Sequence, residues 1–322
     1  MGTPPQAVRV LLSSSGSSLW VVTPAGCTQT DPSSCDELRG RQFNINASST
    51  WQDKGPFALP FISEASLGYS GTADFGFDNV TLGFPGAGGS TVEHQVVAGF
   101  DSKQPYTGML GLTSRGSNFT DFNHPEPTLL TTLRNSGKIA SSTWSYTAGA
   151  PWTPKKTFGS LTFGGFDSTR FVHNAQSFTF AEDISRDLLV GVQSISSGSD
   201  SLLPTSIITY IDSTISQIWL PLDSCKRFEA VFGITWNPSA ELYLVNDTLH
   251  NALVAKNASI QFTLGQTTTG GGPTVNITLP YAAFDLTVSN LPLLNGTSRY
   301  FPLKRAANDT QYTLGRTFLQ AA

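Results

Sequence analysis

The sequence predicts a mostly β protein built as two halves, 1–158 and 159–322. Three observations carry this. Short β-favouring runs cut by Gly, Pro, Asn or Ser recur along the whole chain, at 9–12, 58–62, 75–82, 159–163, 207–211 and 259–264. Helical stretches are few. A strand–turn–strand unit ending in a tryptophan occurs once at the start of each half.

The elements follow in order. In the first half, residues 10–21 run Val-Leu-Leu into Ser13-Ser14-Ser15-Gly16-Ser17-Ser18 and leave through Leu19-Trp20-Val21. The segment 127–137 reads as a helix, with Pro127 in its first turn, Leu129 and Leu133 four apart, and Gly137 as its stop. The second half opens on Thr209-Tyr210-Ile211, turns at Asp212-Ser213-Thr214, and leaves through Ile218-Trp219-Leu220. A helix is predicted over 224–233, where Cys225, Phe228 and Phe232 share a stripe and Gly233 ends the run. A third short helix is expected over 247–254. Each half also carries an apolar–Gly–apolar element, Gly108-Met109-Leu110-Gly111-Leu112 and the run 312–319.

Composition narrows the function classes. With 322 residues and 39% apolar content, the chain can bury a sizeable core. The charged fraction, 13%, is about half the usual share. A net charge of -4 and no Lys/Arg cluster give no electrostatic surface for nucleic acid. No run of 18 apolar residues is present, so no membrane span is expected in this chain. The chain opens directly on a folded-looking segment, as expected if any signal peptide has been removed or lies outside it. No phosphate loop, dinucleotide fingerprint or metal-spaced His/Asp cluster occurs, and neither a cofactor nor a metal is expected.

Asn-x-Ser/Thr triplets point to the secretory route. They stand at Asn46, Asn79, Asn118, Asn246, Asn257, Asn276, Asn295 and Asn308. With 15 Asn and 74 Ser and Thr in 322 residues, chance gives about three or four. Eight is an excess, and each is a candidate glycosylated surface position. Cys27 and Cys35 flank a turn-rich stretch and can close a local disulfide in an oxidising compartment. Cys225 is left over, either as a buried thiol or with a partner outside this chain.

The two loops together resemble the active-site loops of pepsin-like aspartic peptidases, in which each lobe supplies an Asp-Thr-Gly triplet. The family's Gly-Thr-Pro-x-Gln turn is matched by Gly2-Thr3-Pro4-Pro5-Gln6, eleven residues before Ser13. Gly159-Ser160-Leu161-Thr162-Phe163-Gly164-Gly165-Phe166-Asp167 is similar to the family's segment between the lobes. The resemblance covers nearly the whole chain. It implies a bilobal fold with a central cleft, a monomer, and a fungal-type member of the family. It also implies two further strands beyond the 312–319 element. The chain stops at Ala322, so the sheet joining the lobes is expected to be incomplete, and a cysteine beyond that point is one candidate partner for Cys225.

Aligned this way, the triplets read Ser13-Ser14-Ser15 and Asp212-Ser213-Thr214. Asp212 is the surviving dyad carboxylate and Ser13 replaces the other. Ser14 and Ser213 keep the hydroxyls that bridge the loops in the family, and both glycine positions are lost, to Ser15 and Thr214. Tyr69 is the nearest aromatic candidate for the flap tyrosine: counting about twelve residues back from the Asp78-Asn79-Val80 anchor lands on Ser66. Trp20 matches the family's pocket tryptophan and reads more readily as core.

The family's reaction needs two carboxylates sharing a proton, because like charges about 3 Å apart push their pKa values apart. A serine hydroxyl is neither base nor acid enough to serve, and loss of one general acid–base partner slows such reactions by about 10²–10⁴-fold. The sequence therefore predicts a proteolytically inactive, secreted or cell-surface relative, or the ectodomain of an anchored protein. Its partner would be an extended peptide, a protein or a glycan, bound in or near the inter-lobe cleft. Two alternatives stand beside it: an acid endopeptidase that pairs Asp212 with another carboxylate (Asp74 or Glu64), and an inhibitor of secreted hydrolases. A serine hydrolase is disfavoured, since His94, His124, His173 and His250 are scattered and no Gly-x-Ser-x-Gly elbow occurs.

Overall fold

The computed structural model describes residues 1–322 except 62–63, 120, 122, 175, 184, 271, 290–295 and 321–322. Asn295 lies outside the described residues. The chain is mostly β, with 35% strand against 18% helix. It divides into two compact units, Met1–Ser145 with Thr162–Phe166, and Tyr146–Leu161 with Asp167–Ala322. Among the described residues no helix is long and apolar enough to cross a membrane.

The first unit is a six-stranded sheet made of β1 (Val10–Ser13), β2 (Leu19–Val22), β3 (Gln52–Ala58), β4 (Thr72–Thr81), β5 (Thr91–Phe100) and β6 (Gly108–Gly111), in the order β1-β6-β2-β5-β4-β3. Its core joins Trp20, Phe75, Phe77, Phe100 and Met109. Of the strand expected at 58–62, Ala58 closes β3, Leu59 and Phe61 are buried beyond it, and Ile62 lies outside the described residues. Pro60 lacks the N–H that would continue the ladder. The polar start of β3 carried no strand signal because β3 is an edge, where charge, Gly55 and Pro56 are tolerated. β4 and β5 pair Asp78 with Gln95 and Val80 with Val92, a register shift that leaves Glu93 and His94 together opposite Asn79. His94 takes the left-handed φ of 53° at this bulge.

The disulfide Cys27–Cys35 forms, and the single-turn α1 (Cys35–Leu38) starts from it. Arg39 follows and is fully buried. Its guanidinium donates to the carbonyls of Gly26 (2.5 Å), Ser102 (2.5 Å) and Tyr106 (2.8 Å), pinning the disulfide loop to the β5–β6 connection. In α2 (Leu129–Asn135), Thr128 is the N-cap, its hydroxyl accepting from the Thr131 N–H at 3.3 Å. Pro127 thus sits before the cap instead of in the first turn.

Strands β7 (Trp144–Thr147) and β8 (Ser160–Phe163) pair with each other. The second unit then runs through β9 (Leu189–Ser197), β10 (Asp200–Ser201), β11 (Ile207–Ile211), β12 (Ile218–Leu220), α3 (Leu222–Phe232), β13 (Thr235–Asn237), β14 (Leu242–Val245), α4 (Asp247–Lys256), β15 (Ser259–Gly265), β16 (Thr274–Pro280), β17 (Leu286–Ser289), β18 (Thr297–Phe301), β19 (Leu303–Arg305) and β20 (Thr313–Leu314). One sheet is ordered β16-β15-β9-β11-β20-β12-β19, a smaller one β13-β14-β18-β17. In α3 the expected stripe is buried: Cys225, Phe228 and Phe232 all enter the second core. The helix begins at Leu222, straight after Pro221, and stops at Gly233. Cys225 is a core thiol whose Sγ lies 3.6 Å from the carbonyl oxygens of both Leu220 and Lys304. Burial pushes it up to about 12.

Candidate active-site loops

Each unit threads its triplet by the same local topology. In the first, β1 runs parallel to β6 with Ser13 against Gly111, and β2 returns antiparallel to β6. In the second, β11 runs parallel to β20 and β12 returns antiparallel to it. The loops cross these strands at van der Waals distance. A Cβ on Gly111 would lie 2.5 Å from the Gly16 carbonyl, and one on Gly315 would lie 2.3 Å from the Gln217 carbonyl oxygen. The glycines of the two apolar–Gly–apolar elements are therefore fixed by the loops they support.

The first triplet is buried: Ser13, Ser14 and Ser15 expose 5% or less. The Leu112 N–H donates to the Ser13 carbonyl at 2.9 Å, and the Gly16 N–H donates to Ser13 Oγ at 2.8 Å. Ser13 Oγ lies 3.1 Å from Ser15 Oγ. Ser15 Oγ in turn donates to Oε1 of Glu64, a residue 3% exposed on a short 3₁₀ turn, Glu64–Leu67, between β3 and β4. Gly16 N–H, Ser13, Ser15 and Glu64 thus form a chain of hydrogen bonds that ends on the Glu64 carboxyl group, an arrangement in which neighbouring bonds polarise one another. An Arg115 Nη also lies 3.5 Å from the Ser15 carbonyl.

The second triplet is buried as deeply, with Asp212 at 1% and Ser213 at 0%. The Asp212 N–H donates to the Leu314 carbonyl at 3.2 Å, and Asp212 Oδ1 accepts the Thr214 N–H at 2.8 Å. Arg316 donates from one Nη to the carbonyls of Ser213 and Thr214, both at 2.8 Å. Neither triplet needs glycine to fold here. Ser15 spends its side chain on Ser13 and Glu64, and Thr214 offers its backbone N–H to the aspartate.

The remaining predicted residues are placed as follows. Trp20 is 3% exposed, edge-on to Phe61 at 4.9 Å, and its indole N–H donates to Ser18 Oγ at 2.9 Å. Tyr69 follows the 3₁₀ turn, its N–H donating to the Glu64 carbonyl at 3.1 Å, and its half-buried ring packs on Phe61 at 5.7 Å. Asp74, the other candidate carboxylate, is exposed on β4 in register with Gly99. Asn46, Asn118, Asn246, Asn257, Asn276 and Asn308 are exposed and Asn79 is half-buried. The contacts of Arg115 and Arg316 to the triplet carbonyls had no sequence signal, since neither arginine belongs to a charge cluster.

A search of curated proteins finds no match to the chain. The sequence model of one family, eukaryotic aspartyl protease, matches residues 1–322. This family of aspartic endopeptidases accounts for the paired loops and for the strands that hold them, and the chain belongs to it.

Proposed function

We propose that this protein is a secreted or cell-surface member of the family that has lost peptide hydrolysis and binds an extended peptide, protein or glycan partner in the cleft characteristic of its relatives. One observation carries the reading: the first triplet has hydroxyls where the reaction needs a carboxylate, and Ser13 Oγ is held by the Gly16 N–H and by Ser15. A serine hydroxyl is too weak an acid and too weak a base to take a carboxylate's part in the shared-proton pair that the reaction needs. The second triplet keeps its carboxylate, and the strands behind both loops are intact, which supports a retained scaffold without the chemistry.

A second reading rests on Glu64. Its buried carboxyl group reaches Ser15 and so stands one hydroxyl from Ser13, the residue in the first dyad position on this reading. This supports an acid endopeptidase in which Glu64 takes over the lost carboxylate's part. Digestion of denatured haemoglobin by the pure protein at pH 4 separates the two. The first reading expects no fragments above a buffer control. Pepstatin-sensitive fragments that disappear in both Glu64→Gln and Asp212→Asn would establish the second.

A further inference from the structure

On the first unit, away from the triplet, the β4–β5 bulge opens a cavity of about 470 Å³, within the roughly 300–1,000 Å³ of sites that hold small ligands. Its walls are aromatic and polar together. The Trp51 ring lies so close to the backbone of β4 that a Cβ on Gly76 would come within 2.3 Å of it. His94 stacks on Phe77 with ring centres 3.8 Å apart and planes 20° apart. Glu93 and the buried Asp78 add carboxylates, and Asp78 is already occupied by Ser48 (2.8 Å), Thr50 (2.5 Å) and the Asn79 N–H (2.8 Å). Asn79 lines the same cavity, and among the described sequon asparagines it alone does so. It stands in the bulge opposite Glu93 and His94, where the ladder is interrupted. Asn79-Val80-Thr81 is the sequon, and Phe77 lies two residues before it.

We infer that this cavity seats the first sugars of an N-linked glycan carried by Asn79. The proposal rests on the secretory-glycoprotein reading above. The chemistry fits a pyranose ring: its C–H face packs on an aromatic face, while its hydroxyls and acetamido group need acceptors and donors at the rim, here Glu93 and the strand edge. The left-handed backbone of His94 is the costly part of the arrangement, since a non-glycine residue at φ 53° is strained. In return it turns the imidazole onto Phe77 and leaves an aromatic surface beside Asn79. A glycan seated there would cover the half-buried bulge and clamp β4 to β5 at the point where their hydrogen bonding lapses.

The test uses the full chain secreted from a eukaryotic host, with glycopeptide mass spectrometry reading occupancy at each sequon. Asn79 should be occupied, and peptide-N-glycosidase should release its glycan from the native protein about tenfold more slowly than the glycan at Asn257, as expected of a group protected by packing. Protection should fall in Trp51→Leu. It should fall equally in His94→Gly, a change that relieves backbone strain and so tests the contact in a folded protein. An empty Asn79 beside occupied sequons overturns the proposal alone, as does release from Asn79 at the rate of Asn257. Eight empty sequons overturn both the proposal and the glycoprotein reading.

Discussion

At the scale of single residues, the informative side chain is that of Ser15. A glycine there would have no side chain to offer. The serine gives Glu64 a hydrogen-bond donor, and the two residues now depend on one another inside the fold. Removing one partner of such a bond leaves a buried polar group without it, at a loss of about 1–3 kcal/mol, and more for a charged group. We expect Ser15→Ala to destabilise the protein in that range, because the Glu64 carboxylate stays buried. Glu64→Gln should be milder, since the amide oxygen still accepts the Ser15 proton. Glu64→Leu removes the acceptor altogether, and with Leu at 64 Ser15→Ala should become cheaper, giving a coupling of about 1–2 kcal/mol in a urea-denaturation double-mutant cycle. A coupling near zero would show that the two side chains do not act together. On the reading proposed above, rebuilding the dyad with Ser13→Asp and Ser15→Gly would also take away the Ser15 hydroxyl that Glu64 accepts from.

At the scale of elements, α4 shows how a local signal sets a boundary. Asn246 caps it, Oδ1 accepting the Leu249 N–H at 2.8 Å, and Asn257 closes it in the left-handed conformation at φ 42°. Asn246 is both cap and sequon, and the two roles separate by substitution. Asn246→Asp removes the sequon and keeps the cap, so it should change unfolding free energy by less than about 0.5 kcal/mol. Asn246→Ala removes both and should lose about 1 kcal/mol. Equal losses for the two variants of the unglycosylated protein would show that the cap does not stabilise α4. Elements like this one were legible because caps, glycine stops and apolar stripes act within a few residues. The triplet loops were legible because the chain carries them twice. What escaped the sequence was contact at long range: β3, whose polar run is a strand only because it lies at a sheet edge, and Arg39, whose burial depends on carbonyls more than sixty residues downstream. Glu64 was visible as a carboxylate near the flap, but its bond to Ser15 spans 49 residues and required the 3₁₀ turn to place it.

At the scale of the whole molecule, the question is whether the fold persists where its relatives' chemistry would operate. Carboxylates in both units are held below their ordinary pKa by hydrogen bonds. Asp31 is lowered to about 2, first by Lys103 and then by Thr28, Glu37 is lowered by Arg9, and Asp121 by His124. In the second unit Asp167 is lowered, first by Thr169, and Glu241 by Lys304. A carboxylate whose folded pKa is depressed binds its proton more weakly in the native state than in the unfolded one. Its contribution is present in full above the unfolded value and is lost as pH falls through the folded one. For Asp31 that window runs from 3.8 down to about 2. These groups lie at the surface, where salt and water screen each pair, so the effect should show as a slope shared by several sites. We expect the thermal midpoint to hold nearly level from pH 6 to pH 4 and to fall progressively below that. Asp31→Asn should start lower and fall less steeply between 3.8 and 2, and raising the salt should flatten the wild-type curve toward it. A variant curve parallel to the wild type would remove Asp31 from the account. A midpoint that collapses above pH 4 would place the loss elsewhere. The outcome also decides how a peptidase assay at pH 4 reads: a protein still folded there and still unable to cleave is inactive because of its triplets and not because acid has unfolded it.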